Sequence, residues 1–179
     1  MHKNIVTLIL LFAFNKGFTQ TSKAVFAELG GIGLPYSFSF DTRLKPNTNS
    51  GIGIRAGLGG FALEDEKMLT VPVQLNWLLG TGRNFFEVGV GATFVHYDGY
   101  SYGSDYVCDA TGCFPTGKRY AGDFVLPIST VNSIMGTMSF GYRRQPAGAG
   151  FTWKAALTPL FNDNGFWPLF AGIGVGYKF

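Results

Sequence analysis

The feature that most constrains the fold of this chain is a period-two alternation near its C-terminal end. From Trp167 to Phe179 every odd position is apolar, whereas the even positions include three glycines and end in Lys178. Aromatic residues stand at both ends of the apolar row. Because neighbouring residues of a β-strand point to opposite faces, the pattern predicts a strand with one apolar face and one small or polar face.

The same alternation recurs along the chain and predicts eight strands. The other seven are Val25–Gly31, Tyr36–Leu44, Ile52–Leu58, Leu69–Leu79, Phe86–His96, Ile134–Tyr142 and Phe151–Leu157. Turns rich in Gly, Asn and Pro are expected at 45–50, 80–84 and 145–149, and outer loops at 32–35, 62–68, 98–128 and 160–166. An even strand count with short turns on one side and a long loop on the other is typical of a membrane barrel. The predicted fold is all-β, an eight-stranded antiparallel up-and-down transmembrane β-barrel.

The N-terminal segment has the pattern of a secretory signal. Lys3 precedes the apolar run Ile5–Phe14, and small residues follow it. This run is shorter than the roughly 20 apolar residues that span a bilayer. We expect residues 1–20 to be a cleaved signal peptide, with cleavage near Thr19 or Gln20, and residues 21–179 to form the barrel.

Composition supports a narrow membrane barrel over a soluble enzyme or a nucleic-acid-binding protein. The chain has 26 glycines, 16% aromatic residues and only 14% charged residues. Aromatic residues form interfacial girdles, and small residues fit a crowded lumen. The formal charge of +3 falls to +1 when Lys3 and Lys16 are removed, so nothing indicates nucleic-acid binding.

The polar face decides between a membrane barrel and a soluble one. A lipocalin-like barrel would turn the apolar face towards a ligand cavity and the polar face towards water. Here the polar face is too poor in charge to be a soluble exterior, which favours an apolar face in contact with lipid. We expect the isolated charges to pair within the lumen: Glu28, Asp41, Arg43, Arg55, Glu87, Arg143, Lys154 and Lys178.

Six segments resemble the small outer-membrane barrel proteins of Bacteroidetes, a porin-like superfamily. They are AELGGIGLPYSFSFD (27–41), LTVPVQLNWLLG (69–80), FEVGVGATF (86–94), SFGYRRQP (139–146), FTWKAALTPLF (151–161) and GIGVGYKF (172–179). The resemblance implies a Gram-negative outer-membrane location, with membrane lipids and lipopolysaccharide as neighbours. Phe179 resembles the C-terminal aromatic residue that the barrel assembly machinery recognises. The resemblance implies little about activity.

Cys108 and Cys113 are the two cysteines of the chain and lie in the longest loop. Outside the cytoplasm two nearby cysteines usually pair, so we predict a disulfide. A metal site is the alternative, but no histidine lies nearby to complete a tetrahedral set.

His96 is the candidate for catalysis, since it is the histidine that remains after signal removal. Some eight-stranded outer-membrane barrels act on lipid A, and Asp98, Ser101 and Ser104 are near in sequence. No recognisable motif links them, and alternation places His96 in the lipid-facing row. We therefore predict no catalytic residue, no metal and no cofactor, and keep a lipid A-modifying enzyme as an alternative.

The long loop 98–128 is the predicted location of any surface function. It is rich in tyrosine, and loops on rigid scaffolds often carry recognition. An extracellular ligand held by this loop is one hypothesis, and a purely structural membrane role is its rival. A narrow pore through the lumenal charges is a further alternative. The acidic tip Glu64–Lys67 could hold cations that bridge lipopolysaccharide or be a solvated loop.

Overall fold

The computed structural model describes residues 22–63, 66–99, 106–115, 132–163 and 165–179, which include the eight strands of a closed β-barrel. The barrel strands are β1 (Lys23–Gly30), β2 (Tyr36–Arg43), β3 (Gly51–Ala62), β4 (Glu66–Thr81), β5 (Asn84–Gly99), β8 (Ser133–Arg144), β9 (Gly150–Leu157) and β12 (Ala171–Lys178). The other elements are a 3-10 turn (Gly31–Gly33), a loop hairpin of β6 (Tyr106–Asp109) and β7 (Gly112–Pro115), and the extensions β10 (Leu160–Asn162) and β11 (Gly165–Trp167). The predicted signal segment lies outside the described residues.

Closure of the barrel follows from two strand pairings. Strands β1 and β12 pair antiparallel over Ala24–Gly30, and β8 pairs with β9 at Phe140–Arg144. Each of the remaining barrel strands pairs with the next in chain order. The ring therefore has no open edge, and the predicted eight-stranded antiparallel up-and-down barrel is confirmed.

Strands β3, β4 and β5 are longer than predicted at the end that carries the outer loops. Pairing of β4 with β5 continues from Leu69↔His96 to Glu66↔Gly99. The apolar alternation stops at Leu69, because Lys67 and Asp98 are polar, but the backbone ladder continues beyond it. Sequence periodicity therefore marks the apolar band and not the full length of the strands.

The last predicted strand is interrupted by a bulge. Leu157 pairs with Ala171, whereas Leu160 pairs with Trp167, so two residues of one strand face three of the other. Pro168, which has no N–H for the ladder, lies within this bulge. Trp167 pairs with the buried Leu160 but is itself 43% exposed, and the regular ladder with β9 begins at Ala171.

The two faces of the barrel wall differ as expected. Outward side chains such as Val73, Leu75 and Trp77 are about half exposed, whereas the inward charged side chains are buried. The outward row of β4 from Leu69 to Leu79 spans about 33 Å along the strand, or about 25 Å along the axis at a tilt near 40°. The cavity-facing alternative is wrong for this chain, because its apolar face points outward. Among the described residues no helix has the length and apolarity needed to cross a bilayer.

Candidate functional site: a lumen closed at both ends

The half of the lumen next to the short turns contains an ion-pair network around Asp41. Its carboxylate contacts three guanidinium groups: Arg43 at 2.5 Å, Arg55 at 3.1 Å and Arg143 at 3.2 Å. Asn76 donates from Nδ2 to the same carboxylate at 2.7 Å and accepts from Arg43 Nη2. Three strands therefore supply the cations that surround one buried carboxylate.

Two further carboxylates complete the network. Glu87 lies 2.7 Å from Arg55 and 3.4 Å from Arg143. Glu28 pairs with Lys154 at 2.7 Å and accepts a hydrogen bond from Ser39 at 2.5 Å. These buried charges thus have partners of opposite sign, which offsets the large cost of taking ions out of water.

Phe26 is the aromatic residue inside this network. Its ring centroid lies 4.6 Å from Arg143 Cζ, 5.5 Å from Arg55 Cζ and 5.4 Å from Lys154 Nζ. A cation near an aromatic ring is attracted by the ring quadrupole. Phe26 therefore fills space between three like charges without adding a polar group that needs a partner.

Glycines on the lumen face leave room for the long polar side chains. A Cβ on Gly53 would lie 2.2 Å from Arg43 Cζ, and one on Gly89 would lie 2.5 Å from Gln74 Nε2. Gln74 accepts from Arg55 at 3.2 Å and donates to Ser139 at 2.8 Å. The abundance of glycine in the sequence is explained here by close packing inside a narrow barrel.

The β1–β2 connection closes the lumen at the loop end. It is not an outer loop, as 32–35 was expected to be, but a tight inward turn whose residues Gly31–Leu34 are buried. The carbonyl of Ile32 accepts from Thr93 Oγ1 at 2.5 Å, and that of Gly33 accepts from Thr70 Oγ1 at 2.9 Å. These bonds satisfy backbone groups that would otherwise be unpaired in the interior.

Leu34 anchors this turn in an apolar cluster. Its φ is 69°, a region that favours glycine, and its side chain is fully buried. The cluster consists of Leu34, Met68, Val95, Tyr97, Met135 and Leu160, with Phe61 and Phe170 packed against it. Burial of a leucine side chain contributes about 2 kcal/mol, enough to offset a backbone strain of about 1 kcal/mol.

A hydrogen-bonded bridge spans the other end of the lumen. Lys178 Nζ donates to Asn49 Oδ1 at 2.6 Å and to the carbonyls of Ala147 and Pro146 at 2.8 and 3.0 Å. Gln145 Nε2 donates to the Asn49 carbonyl at 2.8 Å. Turns 44–50 and 145–149 lie four strands apart in the ring and meet across the mouth. Together with Lys178 they line a cleft of about 540 Å³.

The structure brings seven of the eight predicted lumenal charges into ion pairs. Lys178, the eighth, has neutral oxygen atoms as partners and belongs to the bridge. Sequence analysis missed Phe26, Asn49 and Gln145. Phe26 could have been found, because it alternates with Glu28 on the inward face of β1, but the turn residues carry no periodic signal.

The predicted disulfide joins Cys108 and Cys113, which face each other across the β6–β7 hairpin with their Cα atoms 4.0 Å apart. Thr111 donates from its N–H and its hydroxyl to Asp109 at 2.7 and 2.5 Å. These bonds lower the pKa of Asp109 from its usual value. Phe114 on this hairpin is 54% exposed. The hairpin therefore has a turn that the disulfide constrains and an exposed apolar side chain.

His96 lies on the outer face, and its Nδ1 is 2.9 Å from Asn132 Oδ1. Asp98 is exposed, while Ser101 and Ser104 lie outside the described residues. In the described part of the chain, no three His, Cys, Asp or Glu residues are grouped as metal ligands. Of the acidic tip, Glu64 and Asp65 also lie outside the described residues.

Phe179 ends the barrel wall beside the first strand. Its backbone N–H donates to Lys23 O at 2.9 Å, and Lys23 N–H donates to Phe179 O at 3.3 Å. The ring is 55% exposed and lies 6.4 Å from that of Phe40. This places the aromatic side chain at the turn end, where its role as an assembly signal stays a prediction.

Comparisons with known proteins identify the fold but no family. No family model matches the chain. A search of curated protein sequences likewise finds no match. The barrel is similar to a solved structure, the N-terminal β-barrel domain of Pseudomonas aeruginosa OprF, with a TM-score of 0.55 and 14% sequence identity. The match covers 92% of this chain and all of that domain, so the two share an eight-stranded barrel fold.

Proposed function

We propose that this chain is an integral outer-membrane β-barrel of a Gram-negative bacterium with a structural or surface-recognition role through its outer loops. The observation that carries the proposal is the contrast between the two faces of the wall. The exterior is an apolar band about 25 Å tall, as a bilayer requires, and the interior is filled by paired charges and an apolar cluster. Membrane lipids and lipopolysaccharide are the proposed surroundings, and the resemblance to Bacteroidetes barrels stays a prediction.

Closure of the lumen argues against a pore as the main function. The turn around Leu34 blocks one end, and the bridge of Lys178, Asn49 and Gln145 blocks the other. Between them the side chains are joined by ion pairs and hydrogen bonds. An ion would have to break both closures and separate buried charge pairs to cross.

The loop between β5 and β8 is the proposed recognition element. It connects the strands over residues 100–132 and contains the disulfide-pinned hairpin with exposed Phe114. A rigid turn loses little conformational entropy on binding, which favours contact with a partner. His96, by contrast, has an amide partner and lies on the outward face, so the geometry offers no support for catalysis on lipid A.

Insertion and conduction can be tested on the refolded protein in vesicles. We expect heat-modifiable migration on gels, protection of the strands from protease, and no steady current in planar bilayers. Failure to insert would refute the membrane role. Steady single-channel currents from the unaltered protein would refute the closed lumen.

Recognition can be tested separately with the loop deletion Δ100–122. Fluorescent vesicles that carry the intact protein or the deletion would be applied to an array of glycans and purified extracellular proteins. Recognition predicts binding by the intact protein alone, with both proteins equally folded. The double variant Cys108→Ser/Cys113→Ser is the matched control, because it keeps the loop and removes only the disulfide. If the intact protein binds nothing on the array, the result counts against recognition and leaves the structural role.

A further inference from the structure

Charges outside the lumen are sorted by sign between the two ends of the barrel. The end that carries the short turns has four such side chains, all basic: Lys23, Lys45, Arg83 and Arg144. Outside the lumen, no Asp or Glu accompanies them among the described residues of that end. The connections at the opposite end, over 62–68, 98–132 and 163, contain eight acidic residues and three basic ones.

The four basic side chains have no side-chain partner among the described residues. Lys45, Arg83 and Arg144 are exposed and Lys23 is half-buried. None of them forms an ion pair or a side-chain hydrogen bond with another described residue, whereas each lumenal cation contacts a carboxylate or another oxygen. These four side chains, Lys23, Lys45, Arg83 and Arg144, form a basic rim whose donors are available to a ligand outside the chain.

The basic rim lies just beyond the apolar band. Arg144 is two residues past Tyr142 on the outward row of β8, and it pairs with Trp153, whose ring centroid is 5.1 Å from that of Tyr142. Lys23 is two residues before the outward Val25, and Lys45 directly follows the exposed Leu44. Tyr and Trp sit at the headgroup level of a bilayer, so the neighbouring cations reach the depth of lipid phosphates.

We propose that the basic rim, Lys23, Lys45, Arg83 and Arg144, binds the phosphate groups of anionic phospholipids in the leaflet at the turn end. This inference rests on the proposed membrane function. A Lys or Arg near a membrane surface attracts anionic lipid with a free energy that corresponds to about a fivefold preference. The acidic loop end repels the same lipids, so the selectivity belongs to one leaflet.

The test measures lipid association with the full chain in phosphatidylcholine vesicles. Trace spin-labelled phosphatidylglycerol or phosphatidylcholine reports the relative association constant by electron paramagnetic resonance. We expect a preference of about threefold to fivefold for phosphatidylglycerol at low salt. In about 1 M salt the preference should fall towards one, because the Debye length is then about 3 Å and the charges are screened. Equal association of the two lipids with the unaltered protein would overturn the inference.

Variants locate the preference on the rim. The quadruple variant Lys23→Gln/Lys45→Gln/Arg83→Gln/Arg144→Gln should associate equally with both lipids, and Lys67→Gln at the loop end should keep the preference. The pairwise variants Lys23→Gln/Lys45→Gln and Arg83→Gln/Arg144→Gln should each lose part of it, and they serve if the quadruple variant does not fold.

Three other results are distinguishable from the expected one. The inference would be overturned if the quadruple variant inserts and keeps its preference. It would also be overturned if the unaltered protein shows no lipid preference and its rim instead binds an acidic periplasmic protein. Absence of heat-modifiable migration in the unaltered protein would instead count against the membrane function.

Discussion

The turn half and the loop half of the lumen are filled by opposite chemistries. In the turn half Asp41 and Glu87 hold three arginines in a buried ion-pair network. In the loop half Leu34 and its apolar neighbours close the barrel around an inward turn. Both halves exclude solvent, so closure of a narrow lumen does not require one particular kind of side chain.

The difference lies in how each half tolerates change. An apolar cluster loses contacts roughly in proportion to the volume removed. A buried charge network fails more abruptly, because the loss of one partner leaves a charge with no compensation. The turn half should therefore be the more sensitive to a single substitution.

The largest effect is expected for Asp41→Ala. The substitution leaves Arg43 without a carboxylate partner and leaves Arg55 and Arg143 to share Glu87. We expect the free energy of unfolding to fall by about 3–5 kcal/mol, measured by urea titration in vesicles. Asp163→Ala, at an exposed turn, is the control and should change it by less than about 0.5 kcal/mol. A loss below about 1 kcal/mol for Asp41→Ala would show that the network is not the stabilising element.

A smaller effect is expected for Leu34→Ala in the loop half. Truncation of this fully buried side chain should cost about 2–4 kcal/mol in the same titration. Leu34→Gly separates backbone strain from the loss of side-chain contacts, because glycine adopts a positive φ without strain. The glycine variant should be at least as stable as the alanine variant, the reverse of the usual order. If Leu34→Ala cost more than Asp41→Ala, the contrast between the halves would be wrong.

The two halves also differ in how well the sequence predicts them. The charged residues of the turn half are recognisable because each interrupts a small or polar row at period two, which is a local signal. The inward turn at Leu34 is not, because its direction depends on hydroxyls of Thr70 and Thr93, which are far away in sequence. Segment 32–35 has the length of an ordinary loop.

The bulge between β11 and β12 was missed for a related reason. Period-two alternation shows no extra residue when the positions on both sides of it are apolar, as from Trp167 to Ala171. Only the pairing partner of each residue reveals the shift, since Leu160 faces Trp167 and Leu157 faces Ala171. Strand existence and face were predictable, whereas register across a proline was not.

The smallest effect is expected for Asn49→Ala at the mouth of the turn half. The substitution removes one acceptor from Lys178, which keeps the carbonyls of Pro146 and Ala147. It also removes the Nδ2 group through which Asn49 donates to these two carbonyls. We expect a loss of about 1 kcal/mol in unfolding free energy, the typical value for one partly exposed hydrogen-bonded group. A double-mutant cycle with Lys178→Met should show a coupling between the two side chains of about 0.5 kcal/mol or more.

Hydrogen exchange then separates local from global effects of Asn49→Ala. The bridge joins two turns on opposite sides of the ring, while the strands beneath are held by their own ladders. Amides of turns 44–50 and 145–149 should therefore exchange faster, and amides of β4 and β5 should keep their protection. Faster exchange throughout the barrel would mean that the bridge supports the whole turn half, and the ion-pair network would then depend on the mouth that covers it.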